Sequence, residues 1–283
     1  MSEKTKKAAV IGYPVDHSLS PLIHNTWIAQ YGLDANYRAI NVLPQNLQQW
    51  VESLAQDGFV GFNVTLPHKV EIMALCDTVD DRARRIGAVN TVSVDGSGRL
   101  HGTNTDAFGF IQNLREEAPD WAPENGPAMI LGAGGAARAA VYALLESGVD
   151  QIVICNRNAD RAAALAHDAR QFVTRDISIQ TLDWHDRSKG VFAAALLVNT
   201  TSLGMSGQPP LDIDLGHAGC AVYDIVYRPL ITPLLRSAQE RGLPIITGLG
   251  MLLHQARPAF EMWFGVLPDV DPALKKQIEG SAT

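Results

Sequence analysis

The most constraining feature of this chain is a nearly unbroken alternation of short apolar strands with helical segments. The strand pattern recurs at AAVI (8–11), FVGFNVTL (59–66), AMIL (128–131), QIVIC (151–155) and AVYDIV (221–226). The segments between them carry apolar residues at helical spacing. Strands alternating with helices are typical of parallel sheets, because a parallel connection needs a long crossover. We therefore predict an α/β fold in which helices cover parallel sheets.

Turn and cap residues set the expected boundaries of these elements. SPLIHNTWIAQYG predicts a helix with Ser20 as N-cap and Gly32 at its end, and Gly58 ends the helix that follows. Asp-Gly-Ser-Gly at 95–98 predicts a hairpin. EEAPDWAPENGP (116–127) is rich in proline and acidic residues and is a candidate linker or surface loop.

Composition excludes several classes of protein. The 283 residues carry a net charge of −7, so there is no basic excess to indicate nucleic acid as a partner. No apolar run approaches the roughly 20 residues of a membrane span. The three cysteines are widely separated, which indicates a reducing compartment, and no His or Cys spacing suggests a metal site. We expect a cytoplasmic protein without metal.

ILGAGGAARAA (130–140) joins a predicted strand to a predicted helix. Gly132, Gly134 and Ala137 fit the pattern G-x-G-x-x-A, and Gly135 adds a further glycine. Glycine lets the backbone approach a pyrophosphate, which the free N–H groups of a helix N-terminus then bind. A tight turn without ligand and a methyltransferase turn are the alternatives at this point.

The residues after QIVIC distinguish between nicotinamide cofactors. An NAD site usually has an acidic residue there for the ribose hydroxyls. This chain has Asn156, Arg157 and Asn158 instead, and Arg161 follows shortly. An arginine can pair with a phosphate through its planar fork. This arrangement favours NADP, although an exposed arginine at a loop start is the simpler alternative.

Polar side chains in the first half follow the predicted strands. They are Ser18, Ser20, Asn63, Thr65, Lys69, Asn90, Thr91, Thr105 and Asp106. Open α/β sheets bind ligands at the carboxyl ends of their strands. When hydride reaches a ketone carbon, negative charge grows on the oxygen and a proton donor is needed. A fixed ammonium beside a carboxylate does this, which makes Lys69 and Asp106 the candidate catalytic pair.

The chain resembles the shikimate dehydrogenase family through motifs that occur in order from about residue 10 to 265. These are HSLSPLIHN, FNVTLPHK, IGAVNT, TNTDAFG, GAGGAARA, NR, NTTSLGM, YDIVY, TPLL and GLGMLLHQA. The resemblance implies reversible reduction of 3-dehydroshikimate to shikimate by NADPH, in the biosynthesis of chorismate and the aromatic amino acids. It also implies a substrate domain, a Rossmann-like NADP domain and a C-terminal helix that returns to the first domain.

The resemblance assigns roles residue by residue. Lys69 and Asp106 match the catalytic pair. The matches to substrate-binding residues are Ser18, Ser20, Asn63, Thr65, Asn90, Tyr227 and Gln255. The matches to cofactor-binding residues are Gly132, Ala133, Gly134, Gly135, Ala136, Asn156, Arg157, Arg161, Thr200, Ser202, Met205, Gly248 and Met251. Arg228 departs from the family, which often has Asn there, and His254 receives no role.

Alternatives differ in cofactor, substrate or activity. One is a quinate/shikimate dehydrogenase that uses NAD; relatives that prefer quinate often have Thr where this chain has Ser20. Another is a non-catalytic NADP-sensing module, against which the Lys69 and Asp106 pair argues. We expect domains at 1–110 with 252–283 and at 111–251. We also expect a monomer or homodimer with a small-molecule substrate.

Overall fold

The computed structural model describes residues 5–216 and 218–282. The chain divides into two compact units, one formed by the residues up to Thr105 together with Gln255–Ser281, the other by Asp106–His254. The α/β class predicted from the alternation is confirmed. In the described ranges, no helix is long and apolar enough to cross a membrane.

The sheet of the first unit is mixed rather than parallel. Its described strands are β1 (Lys6–Gly12), β2 (Ala35–Asn41), β3 (Phe59–Val64), β4 (Thr78–Val79), β5 (Thr91–Val94) and β6 (Leu100–Thr103). They lie in the order β2-β1-β3-β5-β6-β4. β5 runs antiparallel to β3 and to β6, so the expectation of a parallel sheet is wrong at this strand. The physical reason is the predicted hairpin, which reverses the chain between β5 and β6.

Helices and apolar side chains enclose this first sheet. They include α1 (Ser20–Gln30), α2 (Leu47–Asp57) and α3 (Asp81–Ile86). Gly58 ends α2 at φ +73° and Gly87 ends α3 at φ +71°, a conformation that glycine adopts without a Cβ penalty. On one side of the sheet Ile11, Leu54 and Phe62 pack into the core. Burying each such side chain contributes about 1.5–3 kcal/mol.

Two local expectations in the first unit are wrong. Ser20 is not the N-cap of α1: the helix begins at Ser20 itself, and Leu19 at the cap position makes no side-chain cap bond. VEIMALC (70–76), whose apolar residues predict a helix, forms a short 3-10 helix at Glu71–Leu75 rather than an α-helix. Ile72 is buried there, and Met73, Leu75 and Cys76 are partly buried against the same core.

The sheet of the second unit is parallel throughout the described residues. Its strands are β7 (Ala128–Leu131), β8 (Gln151–Cys155), β9 (Ser178–Leu182), β10 (Leu196–Asn199), β11 (Ala221–Asp224) and β12 (Ile245–Ile246). The order is β12-β11-β10-β7-β8-β9. From β7 the chain continues to β8 and β9 on one side and then returns to β10 on the other. Such a reversal of strand order is where doubly wound sheets bind ligands.

Helices accompany the strands of the second unit as predicted, and one further short helix at Arg187–Val191 was not predicted. They are α4 (Asp106–Glu117), α5 (Gly135–Glu146), α6 (Ala159–Ala169), α7 (Arg187–Val191), α8 (Pro233–Glu240) and the first part of α9 (Gly248–Phe264). Of the predicted loop 116–127, Glu116 and Glu117 end α4, and 118–127 form a loop with a 3-10 turn at Pro123–Asn125 inside this unit. The division between the units falls at Thr105 and Asp106 instead, directly before α4.

Four labelled elements have no counterpart in the sequence-based expectation, namely β4, α7, β9 and α10 (Pro272–Ala282), and two of them are informative. β9 lies at the edge of its sheet and is largely exposed. Its sequence, SIQTL, therefore lacks the apolar run by which the other strands were predicted. The second is α10, in which the buried residues Leu274, Ile278 and Ala282 recur every four positions. That spacing was a readable helical signal.

Candidate active site

The end of β3 carries a buried amide that is fixed by several partners. Asn63 accepts a hydrogen bond at Oδ1 from the Tyr37 hydroxyl at 2.7 Å. Its Nδ2 donates to the Thr91 hydroxyl at 3.0 Å and to the carbonyl of Asn90 at 3.3 Å. Both amide hydrogens of Asn63 are therefore engaged. A further partner can bind only at Oδ1, by donating a hydrogen bond to it.

A second buried amide lies where β5 begins. Asn90 donates through Nδ2 to the Thr105 hydroxyl at 3.0 Å and to Gln255 Oε1 at 3.3 Å. Its Oδ1 accepts from the backbone N–H of Thr105 at 2.8 Å. Gln255 comes from α9, more than 150 positions away in the chain. The structure therefore brings Asn63, Asn90 and Gln255 into one polar cluster of the first unit, with Thr91 and Thr105 between them.

The turn after β3 places Lys69. Thr65 donates its N–H to Ile11 at 2.9 Å, which ties the turn to the end of β1. A Cβ on Gly12 would come within 2.4 Å of Thr65 Cγ2, so glycine is required for this approach. The Lys69 carbonyl accepts from Val89 N–H at 2.8 Å, and the residue is half-buried. Backbone bonds on both sides therefore hold the position from which the ammonium extends.

The two serines stand at the start of α1. Ser18 Oγ accepts from the Ser20 N–H at 3.2 Å, so the two residues are adjacent in space as well as in sequence. Ser20 is buried and Ser18 half-buried. A helix N-terminus with two neighbouring hydroxyls suits a carboxylate, since N–H groups and hydroxyls all donate.

Asp106 is the first residue of α4 and is 5% exposed. A carboxylate in the first turn of a helix interacts favourably with the positive end of the helix dipole. The helix start therefore holds the Asp106 carboxyl group in a defined and buried place.

In the second unit, the glycine loop has the geometry of a phosphate site. Gly132 has φ +114°, and a Cβ there would lie 2.4 Å from Thr200 Oγ1. Gly134 occupies the N-cap position of α5, makes no side-chain cap bond and is exposed. The first N–H groups of α5 are therefore not satisfied by a cap side chain and can bind an anion.

The residues after β8 lie beside this loop, because Leu131 and Cys155 are partners in adjacent strands. Asn158 caps α6 by accepting from the Arg161 N–H at 3.0 Å, and Asn156 donates to the Asn158 carbonyl at 2.8 Å. The side chains of Arg157 and Arg161 are exposed. Both guanidinium groups are therefore accessible to a phosphate at this edge of the sheet.

The loop after β10 faces the glycine loop from the other side. Thr200 donates through its N–H and its hydroxyl to the Leu131 carbonyl, at 2.9 and 2.7 Å. Ser202 and Met205 in the same loop are exposed. Three loops thus meet at the carboxyl edge of β8, β7 and β10. They are the glycine loop, the residues 156–161 after β8, and the loop after β10, and all three carry predicted cofactor-binding residues.

The last predicted residues of this unit lie near the end of β11. A Cβ on Gly248 would come within 2.2 Å of the Ile225 carbonyl oxygen, so the start of α9 packs directly on the backbone after β11. Met251 is buried in the first turn of α9, and Tyr227 is half-buried. His254, to which the sequence assigns no role, bonds Glu116 Oε2 at 2.8 Å.

Sequence reasoning did not select several residues that support the site. Tyr37 holds Asn63, and Asn113 on α4 donates to the Tyr223 hydroxyl and to the Thr247 carbonyl, both at 2.8 Å. No local motif marks these side chains, since their partners are distant in sequence. Within the described ranges, no group of three or more His, Cys, Asp or Glu side chains could hold a metal ion.

Comparison with protein families identifies three matching segments. Residues 10–92 match the shikimate dehydrogenase substrate binding domain, 118–195 match shikimate / quinate 5-dehydrogenase, and 248–276 match the shikimate 5'-dehydrogenase C-terminal domain. The shikimate dehydrogenase (NADP(+)) of Rhodospirillum rubrum is 52% identical over 279 residues, which is 98% of each chain.

Solved structures of similar proteins extend this result. Shikimate 5-dehydrogenase from Thermus thermophilus, in complex with NADP(H) and shikimate, is 37% identical with a TM-score of 0.80, over 98% of this chain and 99% of that one. Quinate dehydrogenase from Corynebacterium glutamicum, in complex with NAD, is 31% identical with a TM-score of 0.89, over 98% and 99%. The predicted resemblance is confirmed: the chain belongs to the shikimate dehydrogenase family.

Proposed function

We propose that this protein is an NADP-dependent shikimate dehydrogenase, which reversibly reduces 3-dehydroshikimate to shikimate on the route to chorismate and the aromatic amino acids. Full-length relatives named shikimate dehydrogenase (NADP(+)) support this function at 45–52% identity. The Thermus thermophilus relative was solved with NADP(H) and shikimate together.

The observation that carries the cofactor assignment is the edge formed by the glycine loop and the residues after β8. The positive φ of Gly132 and the uncapped start of α5 fit a pyrophosphate. Arg157 and Arg161 are exposed beside this loop, and no acidic residue stands at 156–158 to repel a 2′-phosphate. Thr200, Ser202, Met205, Gly248 and Met251 complete the set that we assign to the adenosine and nicotinamide portions.

The substrate is bound by the polar residues of the first unit. Ser18 and Ser20 hold its carboxylate with neutral donors, which keeps a second cation away from Lys69. Asn63, Thr65, Asn90 and Gln255 bind the ring hydroxyls, and the buried amide cluster supports them by fixing the orientation of each amide. Tyr227 contributes near the carboxylate. We assign the first unit as the substrate domain and the second as the NADP domain.

When bound, NADPH supplies the hydride for the reduction. Lys69 donates a proton to the substrate oxygen as negative charge grows there, and it accepts that proton in the reverse direction. Asp106 orients the ammonium and a substrate hydroxyl. The backbone bonds around Lys69 and the helix start beneath Asp106 support these roles, because each holds its charged group in a defined place.

The second candidate is a quinate dehydrogenase that uses NAD. The Corynebacterium glutamicum relative, a quinate dehydrogenase solved with NAD, is the reason to consider it. Quinate carries an additional hydroxyl on the carbon that bears the carboxylate. Ser20 and Arg157 favour shikimate and NADP over this alternative. A single methyl group changes selectivity by only about 1–3 kcal/mol, so the two substrates have to be compared directly.

The test is an absorbance assay of nicotinamide reduction at alkaline pH. Shikimate with NADP+ is expected to give the highest kcat/KM among the four pairings of shikimate or quinate with NADP+ or NAD+. A higher value for quinate with NAD+ would establish the second candidate. No reduction in any pairing would overturn the enzymatic function.

The remaining assignments concern compartment and assembly. We propose a cytoplasmic enzyme that acts as a monomer or homodimer. The free thiols of Cys76, Cys155 and Cys220 support a reducing compartment. Sedimentation of the purified protein decides the assembly state.

A further inference from the structure

A fully buried carboxylate lies at the end of β11 in the second unit. Asp224 is 0% exposed and accepts hydrogen bonds from Thr232 Oγ1 at 2.7 Å, the Val226 N–H at 3.0 Å and Asn199 Nδ2 at 3.0 Å. Burial raises its pKa to about 6, against the opposing effect of these bonds. Burying a charge costs several kcal/mol even when it is paired, so an apolar residue would be the cheaper choice for stability alone.

Asn199 connects this carboxylate to the loop that follows β10. Its Oδ1 accepts from the Thr201 N–H at 3.0 Å and from the Thr201 hydroxyl at 2.7 Å. Its Nδ2 donates to the Leu203 carbonyl at 3.2 Å as well as to Asp224. The single buried amide of Asn199 therefore makes four bonds, three of them to the loop.

Asp224 and the loop together fix which way this amide points, because the Thr201 N–H can only donate and the Leu203 carbonyl can only accept. A carboxylate only accepts hydrogen bonds, so it must face Nδ2 and not Oδ1 of Asn199. Oδ1 is consequently turned toward the two donors of Thr201. A neutral side chain at 224 would weaken the hydrogen bond to Nδ2, which is the bond that ties the Asn199 amide and its loop to the end of β11.

The loop that Asn199 holds forms the wall opposite the glycine loop. Thr200, between Asn199 and Thr201, bonds the Leu131 carbonyl and stands 2.4 Å from the position of a Cβ on Gly132. A small shift of this loop therefore changes the space above the start of α5, where we place the pyrophosphate.

We propose that Asp224 is a positioning residue for the cofactor, which acts through Asn199 to fix the loop 200–203 in the shape that NADP binding requires. This inference rests on the proposed NADP site. It assigns Asp224 no contact with the cofactor and no part in proton transfer.

The test replaces the carboxylate by an amide of nearly the same shape. Asp224→Asn is expected to weaken NADP+ binding about tenfold, the loss of one charge-assisted hydrogen bond, in titration calorimetry without substrate. The KM for shikimate at saturating NADP+ is expected to stay unchanged. The matched control is Thr232→Val, which removes a bond to the same carboxylate from the side of α8. It is expected to lower Tm with the NADP+ Kd unchanged.

A second variant covers the case in which Asp224→Asn does not fold. Thr201→Val leaves the buried carboxylate intact and removes the hydroxyl that donates to Asn199 Oδ1 and accepts from the Leu203 N–H within the loop. It is expected to weaken NADP+ binding several-fold. Wild-type NADP+ affinity in Thr201→Val, or in a folded Asp224→Asn, overturns the positioning role. A wild-type protein that fails to bind NADP+ overturns the proposed function instead.

Discussion

The hydroxyl of Tyr37 donates to Asn63 Oδ1 at 2.7 Å, and both side chains are buried. Asn25 in turn fixes Tyr37 by two bonds to its backbone, at 2.8 and 3.0 Å. The orientation of a proposed substrate-binding amide is thus determined by a tyrosine on β2, which lies across β1 from the strand of Asn63.

Tyr37→Phe is therefore expected to raise the KM for shikimate while leaving the KM for NADP+ unchanged. It leaves the Asn63 oxygen without its buried donor, which we expect to cost about 1–3 kcal/mol in the free energy of unfolding. Steady-state kinetics with each substrate varied, together with urea unfolding, measure both effects. Tyr31→Phe, outside the amide cluster, is the control; an equal rise in both KM values would contradict the prediction.

Lys69→Ala is expected to reduce kcat by about 10²–10⁴, the usual contribution of a positioned acid or base. The KM for shikimate should change far less, because the variant keeps the serines and amides to which we assign substrate binding. The control is Lys276→Ala, an exposed lysine on α10. If the loss appeared only in KM, Lys69 would be a binding residue and the proton-transfer role would be wrong.

Gly132 and Gly134 of the glycine loop are expected to respond differently to substitution by alanine. Gly132→Ala strains a φ of +114° and brings Cβ against Thr200, so it should lower Tm as well as NADP+ affinity. A Cβ on Gly134 meets no protein atom within 4 Å. Gly134→Ala should therefore keep the wild-type Tm and weaken NADP+ binding, because the methyl group enters the space of the phosphate. Calorimetry and thermal unfolding of both variants check this contrast, and unchanged NADP+ binding in Gly134→Ala would remove the phosphate from this loop.

Arg157→Ala is expected to decrease kcat/KM with NADP+ by about 10–100-fold, the loss of a charge-assisted pair with the 2′-phosphate. Its kcat/KM with NAD+ should remain unchanged, since NAD+ lacks this group. The control is Arg236→Ala, an exposed arginine on α8. A parallel decrease with both cofactors would show that Arg157 does not distinguish them.

His24 is expected to make the fold sensitive to acid. Its ring stacks on Tyr37 at 4.1 Å, and burial lowers its pKa from 6.5 to about 3. A lowered pKa means that the unfolded state binds the proton more tightly. The contribution of neutral His24 to the free energy of unfolding is therefore complete above pH 6.5. It is lost as the pH falls toward 3, by up to about 5 kcal/mol.

Urea unfolding of His24→Leu between pH 3.5 and 7 tests this assignment. The variant should lose much of the decline in the free energy of unfolding that the wild-type protein shows over that range. His167→Leu, at an exposed position on α6, should retain it. If the free energy of unfolding of His24→Leu fell with pH as much as that of the wild-type protein, groups other than His24 would cause the fall.

The elements that local sequence predicts well are those whose signals are themselves local. The glycine loop between β7 and α5 has its conformation specified by Gly132, and Asp106 at the start of α4 follows from capping preference. The alternation of strands and helices gave the parallel sheet of the second unit in the same way. The start of α1 was misplaced by one residue, because Ser20 fits a cap or a first turn equally well without its neighbours.

What sequence alone determined is the chemistry available: an ammonium at 69, a carboxylate at 106, hydroxyls at 18 and 20, and a phosphate loop with arginines and no acid after β8. What only the tertiary structure decided is how buried polar groups pair. Tyr37 with Asn63, Asn90 with Gln255, and Asp224 with Asn199 are separated by 26, 165 and 25 positions. Such pairs leave no periodic signal, because a buried donor or acceptor must be satisfied by whatever partner the folded chain brings near it.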